Sequence, residues 1–275
     1  MKAIITRYPL ASYFFLAFFL TWSIEVPILL AERGLIDFHL PMAMEAVAAF
    51  GPFGAACIVL AAMQMPVKDL LTGLLHWKVP PLWALVTIGL PFVVMLLALA
   101  QTGQLSNLFS GAICGAISAE GRWFEILVIG ALIRGIGEEP GWRGFALPLL
   151  RGRYGPLLAT LILWPFWAVW HLPAYLARPD PSLFVFTLFS LGILAATFWS
   201  TLLYDKTRSI LMLALWHALI NVTRAFTQTS SADAFMAYNQ VTILLGVVIA
   251  AYWLIARPGP YKEDLFARKG LQSPA

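Results

Sequence analysis

Eight apolar stretches, each long enough to cross a bilayer as a helix, constrain this chain more than any other feature. They cover roughly 10–31, 42–64, 81–101, 123–150, 156–177, 182–203, 209–228 and 239–256. A hydrocarbon core about 30 Å thick needs about 17–25 helical residues to span it. Composition agrees: 60% of the 275 residues are hydrophobic and 12% are charged, against about 25% charged in soluble domains. The expectation is an all-α polytopic membrane protein, a bundle of about eight transmembrane helices forming a single domain over 1–275. The first stretch is too long for a signal-peptide core and lacks a small-x-small cleavage pattern, so it reads as a retained span.

Basic residues orient the bundle, because cytoplasmic loops are enriched in Lys and Arg. With the N-terminus inside, the inner segments hold Lys2, Arg7, Lys68, Lys78, Arg151, Arg153, Lys206, Arg208, Arg257, Lys262, Arg268 and Lys269. The outer ones hold Arg33, Arg122, Arg178 and Arg224, while Arg134 and Arg143 fall within a span. This predicts a multi-pass protein of the cell membrane with both termini cytoplasmic and a cytoplasmic tail over 257–275. The net charge of +4 follows from that bias and implies no nucleic-acid partner. The segment 66–81 is too short and too charged to span, and reads as an amphipathic piece on the inner surface. Cys57 and Cys114 stand far apart without a CxxC, which points to small buried hydrophobes rather than a disulfide or metal knuckle.

Ionisable groups inside spans are costly and mark function by default. The stretch "IRGIGEEPGWRGFALPLL" (133–150) places Glu138, Glu139 and Arg143 there. Glu139 and Arg143, four apart, share a helical face and can pair. That leaves Glu138 unexplained as structure, and two adjacent carboxylates make one of them a plausible base. Pro140 removes a backbone donor and should kink the helix, freeing the Ile136 carbonyl. Glu25 and Arg134 are isolated and read as interhelical pairing or cavity-lining groups. His171 in "WAVWHLP", and His217 with Asn221 in "WHALIN", complete the set. At about 1.5 Å per residue, Glu138, His171, His217 and Asn221 lie roughly 18, 22, 12 and 18 Å from the cytoplasmic ends of their spans. Three helices thus bring a carboxylate, two imidazoles and an amide to a similar level. A carboxylate and a histidine can activate water, and a second histidine with an asparagine can donate to an oxyanion. A His₂Glu set could also ligate zinc, but no HExxH is present to support that reading. A transporter or proton relay would call for repeats or paired broken helices, which the sequence does not show.

These three motifs, in order, resemble those of the CPBP family of intramembrane endopeptidases, which includes the CAAX prenyl proteases and bacterial immunity-type (ABI) proteins. The first is Glu-Glu-x-x-x-Arg, matched by Glu138, Glu139 and Arg143. The second sets an aromatic, usually Phe, four residues before a histidine; here Trp167 precedes His171. The third is His-x-x-x-Asn, matched by His217 and Asn221. The motif core runs over about 120–225. The resemblance implies a metal-independent, cofactor-free hydrolase acting on a membrane-associated peptide, lipidated in the family's namesake substrates. It further implies that Glu138 and His171 activate water, that His217 and Asn221 form the oxyanion site, and that Glu139 and Arg143 support Glu138. Pro140 departs from the bulkier residue usual at its position. A non-catalytic immunity or binding protein of the same fold is the competing reading.

Overall fold

The computed structural model describes residues 2–37, 40, 43–109 and 132–261. Every regular element among them is helical. Helix α1 is Pro9–Glu32, α2 Gly51–Ala62, α3 Pro81–Gln101, α4 Arg134–Gly141, α5 Pro156–Trp170, α6 Leu183–Thr207, α7 Ile210–Ser230 and α8 Ala232–Ala256. Among the described residues six segments are long and apolar enough to cross a membrane: α1, Met44–Ala62 (the short helix Ala43–Ala48 turning into α2), α3, α6, α7 and α8. The chain is a multi-pass membrane protein.

The expected spans over 123–150 and 156–177 are broken rather than continuous. Within the first, α4 passes into a π turn over Trp142–Ala146 and then the short helix Leu147–Arg151. The kink expected at Pro140 thus takes the form of a widened turn beginning two residues later, a device common at functional sites. Within the second, α5 ends at Trp170, His171 is a turn residue, and Leu172–Leu176 resumes the helix. Residues 110–131, with Cys114, Arg122 and the start of the expected span over 123–150, lie outside the described residues, as does the tail beyond 261.

Local signals explain several ends. Proline occupies the first turn of α1, α2, α3 and α5, where its missing N–H has no intrahelical partner anyway. Ser182, Ser209 and Ser231 cap α6, α7 and α8, accepting from the N–H groups of Val185, Met212 and Ala234 at 3.2, 3.1 and 3.0 Å. Between 66 and 81 only Lys68–Leu74 is helical, too short to span.

Passing alternately up and down, the helices gather their connections at two ends. At one end Arg151 reaches the Gly259 carbonyl at 3.1 Å, Tyr261 N–H donates to the Arg151 carbonyl at 2.8 Å, and Ser209 donates to the His76 carbonyl. Both described chain ends lie here. At the other, Arg33 donates to the Leu176 and Arg178 carbonyls, Arg134 faces Glu45 at 4.0 Å, and Asn107 donates to Ser230 at 2.7 Å.

Glycine sets how deeply α4 is inserted. A Cβ at Gly137 would lie 2.6 Å from the Ala49 carbonyl, and one at Gly141 would lie 2.4 Å from the Pro52 carbonyl. The stretch can therefore press its backbone against the start of α2, as small residues allow in membrane bundles. Around it pack buried Tyr13, Trp142, Phe145 and Trp170, while Phe15, Leu85, Leu244 and Ile255 face outward as lipid-contacting surface.

Candidate active site

Four of the residues singled out in the sequence meet at one place. Glu138, His171, His217 and Asn221 line a single cavity of about 490 Å³, together with Trp167 and Trp216. Its lining comes from α5 and from the halves of α1, α4, α6, α7 and α8 that lie away from the chain termini, and it includes Arg134 and Arg178.

Glu138 is wholly buried. One carboxylate oxygen accepts from the Trp167 indole N–H at 2.9 Å, and the other has no protein partner. Leaving a buried polar atom unpaired costs about 1–3 kcal/mol, more when it is charged. The fold therefore holds an acceptor in reserve at the cavity wall.

His171 owes its orientation to the break after α5. Its backbone N–H bonds to Ala168 at 3.2 Å instead of closing a regular helical turn onto Trp167. The Trp167 carbonyl is thereby left to the imidazole Nδ1, at 2.7 Å. A carbonyl only accepts, so Nδ1 carries the proton and the neutral ring keeps a lone pair on Nε2. Pro173, with no N–H to extend α5, fits this interruption.

His217 is held from another side. Its Nδ1 lies 2.7 Å from Glu139 Oε1, and the same oxygen accepts from Arg143 Nη1 at 3.0 Å. Arg143 Nε donates to Ser200 Oγ at 3.0 Å, and its guanidinium lies 3.8 Å from the centre of the Trp167 ring. Glu139 and Arg143 are wholly buried. The Glu139–Arg143 pair expected from spacing is present, but its recorded partner is His217. Glu138 is held by Trp167 instead. Trp167 is the hub: besides that bond, its ring lies 5.8 Å from the His171 ring and 5.9 Å from the His217 ring.

Sequence reasoning missed three members of this arrangement. Trp167 stands in the sequence as the aromatic of the second motif with no role of its own, and it is a donor to Glu138. Ser200, an ordinary small residue on α6, accepts from Arg143. Tyr13 is buried, edge-on to Trp142 at 5.6 Å, with no hydroxyl partner in the protein. Arg134 both faces Glu45 and lines the cavity, and Glu25 lines it too, with one carboxylate oxygen unpartnered. Among the described residues no three His, Cys, Asp or Glu side chains group as metal ligands would.

Helices broken at membrane depth around a polar cavity define a class: membrane proteins with a functional site inside the bilayer. Comparison with known proteins narrows it. Residues 120–223 match the family described as Type II CAAX prenyl endopeptidase Rce1-like. The chain is 27% identical over 198 residues to CAAX prenyl protease 2 of Methanococcus maripaludis, an alignment covering 67% of this chain and 71% of that protein. Over these residues the chain is similar to CAAX-type prenyl endopeptidases.

Proposed function

We propose that the chain hydrolyses a peptide bond of a membrane-associated, lipid-modified peptide with a water activated by Glu138 and His171. The observation that carries this reading is the unpaired Glu138 oxygen sharing one cavity with His171, whose Nδ1 is committed and whose Nε2 is free. A water between them gives a proton to the Glu138–His171 pair as its oxygen attacks the scissile carbonyl. The same proton then passes to the departing amine, so no covalent intermediate forms.

The developing oxyanion falls to His217 and Asn221. For His217 to donate from Nε2 while Nδ1 faces Glu139, the ring must be an imidazolium. Glu139 and Arg143 are positioning residues that hold His217 in its place.

A prenylated cysteine peptide is the first substrate class to try, since the Methanococcus relative is called a CAAX prenyl protease. Purified chain in detergent should cleave such a peptide, and Glu138→Gln, His171→Ala and His217→Ala should each cut cleavage by orders of magnitude in protein that still folds. Undiminished cleavage by Glu138→Gln would overturn the assignment.

The charge asymmetry supports a cell-membrane location with the termini cytoplasmic, since Lys2, Arg7, Lys68, Arg151, Lys206 and Arg257 gather at the terminal end. The cavity then opens toward the opposite, extracytoplasmic side. Membrane-impermeant maleimide should label Arg178→Cys in intact cells and Lys206→Cys only after permeabilisation; the reverse pattern would invert the orientation.

A further inference from the structure

The chain around His171 is tied to one face of α1. The Trp170 carbonyl accepts from the indole N–H of Trp22 at 3.1 Å. One turn further along α1, the Glu25 carboxylate faces the backbone N–H of Ala174. Just past the end of α1, Arg33 donates to the Leu176 carbonyl and, at 2.9 Å, to the Arg178 carbonyl. At about 100° per residue, positions 22, 25 and 33 lie within roughly 80° of one another on the helical wheel. They form one stripe that meets the chain on both sides of the break. Helical bonding resumes where the Tyr175 N–H meets the His171 carbonyl at 2.9 Å, so the Trp170 carbonyl lies between one helix and the next. A backbone group left open at membrane depth must find a partner outside its own helix, and Trp22 supplies one. Trp22 is half-buried, its ring 5.0 Å from that of Phe18, and it is not part of the cavity wall.

We infer that Trp22 is a positioning residue for His171, acting through the Trp170 carbonyl, with Arg33 holding the far end of the same segment. This deepens the hydrolytic reading and rests on it for the part His171 plays in cleavage, but the brace stands on its own contacts. The Trp170 carbonyl belongs to the peptide bond that leads into His171. That bond is planar, so the indole fixes the plane from which the His171 side chain projects. The imidazole then reaches back to the Trp167 carbonyl at 2.7 Å, edge-on to Trp170 at 4.8 Å and to Phe189 at 5.3 Å. Without the indole N–H the peptide plane is free to turn, and the Nδ1 bond that selects the tautomer loses its fixed origin. Arg33 limits the same movement from the other side, where Tyr175 is also tied down by its hydroxyl bond to the Ser182 carbonyl at 2.9 Å. Because Trp22 does not reach the cavity, any effect it has on the chemical step passes through His171.

Trp22→Phe tests this, since it keeps a ring and removes the donor. In the purified full chain in detergent, kcat for the prenylated peptide should fall about 10–100-fold, the scale of a misplacement of about 1 Å, with KM little changed. Trp22→His, which keeps a ring N–H, should recover part of the loss. A second readout needs no turnover. With histidine labelled by ¹⁵N, and the His171 signal identified by its loss in His171→Ala, the native chain should show a single Nδ1–H tautomer and Trp22→Phe a mixture of the two. Arg33→Met, at an exposed position, should move both readouts the same way by a smaller amount. Native kcat with an unmixed tautomer in Trp22→Phe overturns the brace. A fall in kcat with the native tautomer also overturns it, because the effect would then bypass His171. Should Trp22→Phe fail to fold, Arg33→Met decides, and native values of both readouts there overturn the brace. A tautomer change in a chain that cleaves no peptide would instead sink hydrolysis and leave the brace standing.

Discussion

Two buried arginines eight residues apart, Arg143 and Arg151, show what distinguishes a reactive cluster from a structural one. Arg151 is fully engaged. Its Nε and Nη2 pair with Asp205 at 3.2 and 3.0 Å, and its Nη1 reaches the Tyr154 and Gly259 carbonyls at 2.7 and 3.1 Å. Tyr261 closes the cluster, donating its hydroxyl to Asp205 while its ring faces the guanidinium at 4.3 Å. Around Arg143 the count does not close: one oxygen each of Glu138 and Glu139, and Nη2 of Arg143 itself, have no protein partner. Both clusters join carboxylate to guanidinium. One commits all three guanidinium nitrogens to holding helix ends together, whereas the other keeps polar atoms in reserve inside the bilayer, an arrangement that packing alone would not favour.

The widest separation between the clusters should come from Glu138→Gln. In the reading above it removes the base, and cleavage of the prenylated peptide should fall by about 10²–10⁴-fold. The same change deletes a buried charge with an unpaired oxygen, so the melting temperature should hold or rise. A variant that lost stability in step with activity would make Glu138 a structural residue like Asp205.

Glu139→Gln should come next, and it should act on stability first. It leaves Arg143 without its counter-charge in a dry setting, where breaking a buried pair costs about 3–5 kcal/mol. His217 loses its anchor at the same time. Thermal unfolding in detergent should report the loss, and any surviving protein should show reduced kcat. An unchanged melt would mean that Arg143 is compensated elsewhere.

Trp167→Phe isolates one hydrogen bond. It keeps a ring under Arg143 but removes the donor to Glu138. The loss should be about 10–100-fold in kcat, the value of roughly 1.5–3 kcal/mol for a hydrogen bond to a charged group. KM and the melt should move little. A mere packing role predicts the opposite split, with stability lost and kcat retained.

How much of this was legible beforehand depends on whether a feature is local. Span lengths could be read because crossing a bilayer needs only a run of apolar residues, and the Glu139–Arg143 pair because four residues make one helical turn. The partnerships across helices could not. Ser200 and Tyr13 sit in helices that are apolar all round, so no polar face announces which way they turn. Trp167 could be placed near His171 by spacing, but the direction of its indole N–H depends on how α5 is rotated against α4. The break at His171 was hidden for a different reason: Pro173 lies inside an apolar run, and prolines within α1, α3 and α5 (Pro27, Pro91, Pro165) are carried without ending those helices. The glycines of 133–150 were visible, but the backbones they admit, Ala49 and Pro52, belong to a distant segment.

Asp205→Asn gives the smallest expected effect and tests the other half of the comparison. It replaces a two-pronged charged contact with a neutral one at the end of the bundle where the chain terminates. Asp205 is partly solvent-accessible, with 17% of its side chain exposed, and asparagine keeps an acceptor for Arg151, so the change should cost less than breaking the wholly buried Glu139–Arg143 pair. The neighbouring Tyr261 phenol should remain protonated throughout, because burial, the larger of the causes that raise it and one the substitution leaves in place, pushes it above its ordinary value. It can therefore still donate to the substituted amide oxygen and limit the damage. Cleavage of the prenylated peptide should keep its full kcat, since nothing in this cluster lines the cavity. A fall in kcat at constant stability would mean that the two arginine clusters, joined through the π turn over Trp142–Ala146, are mechanically coupled rather than independent.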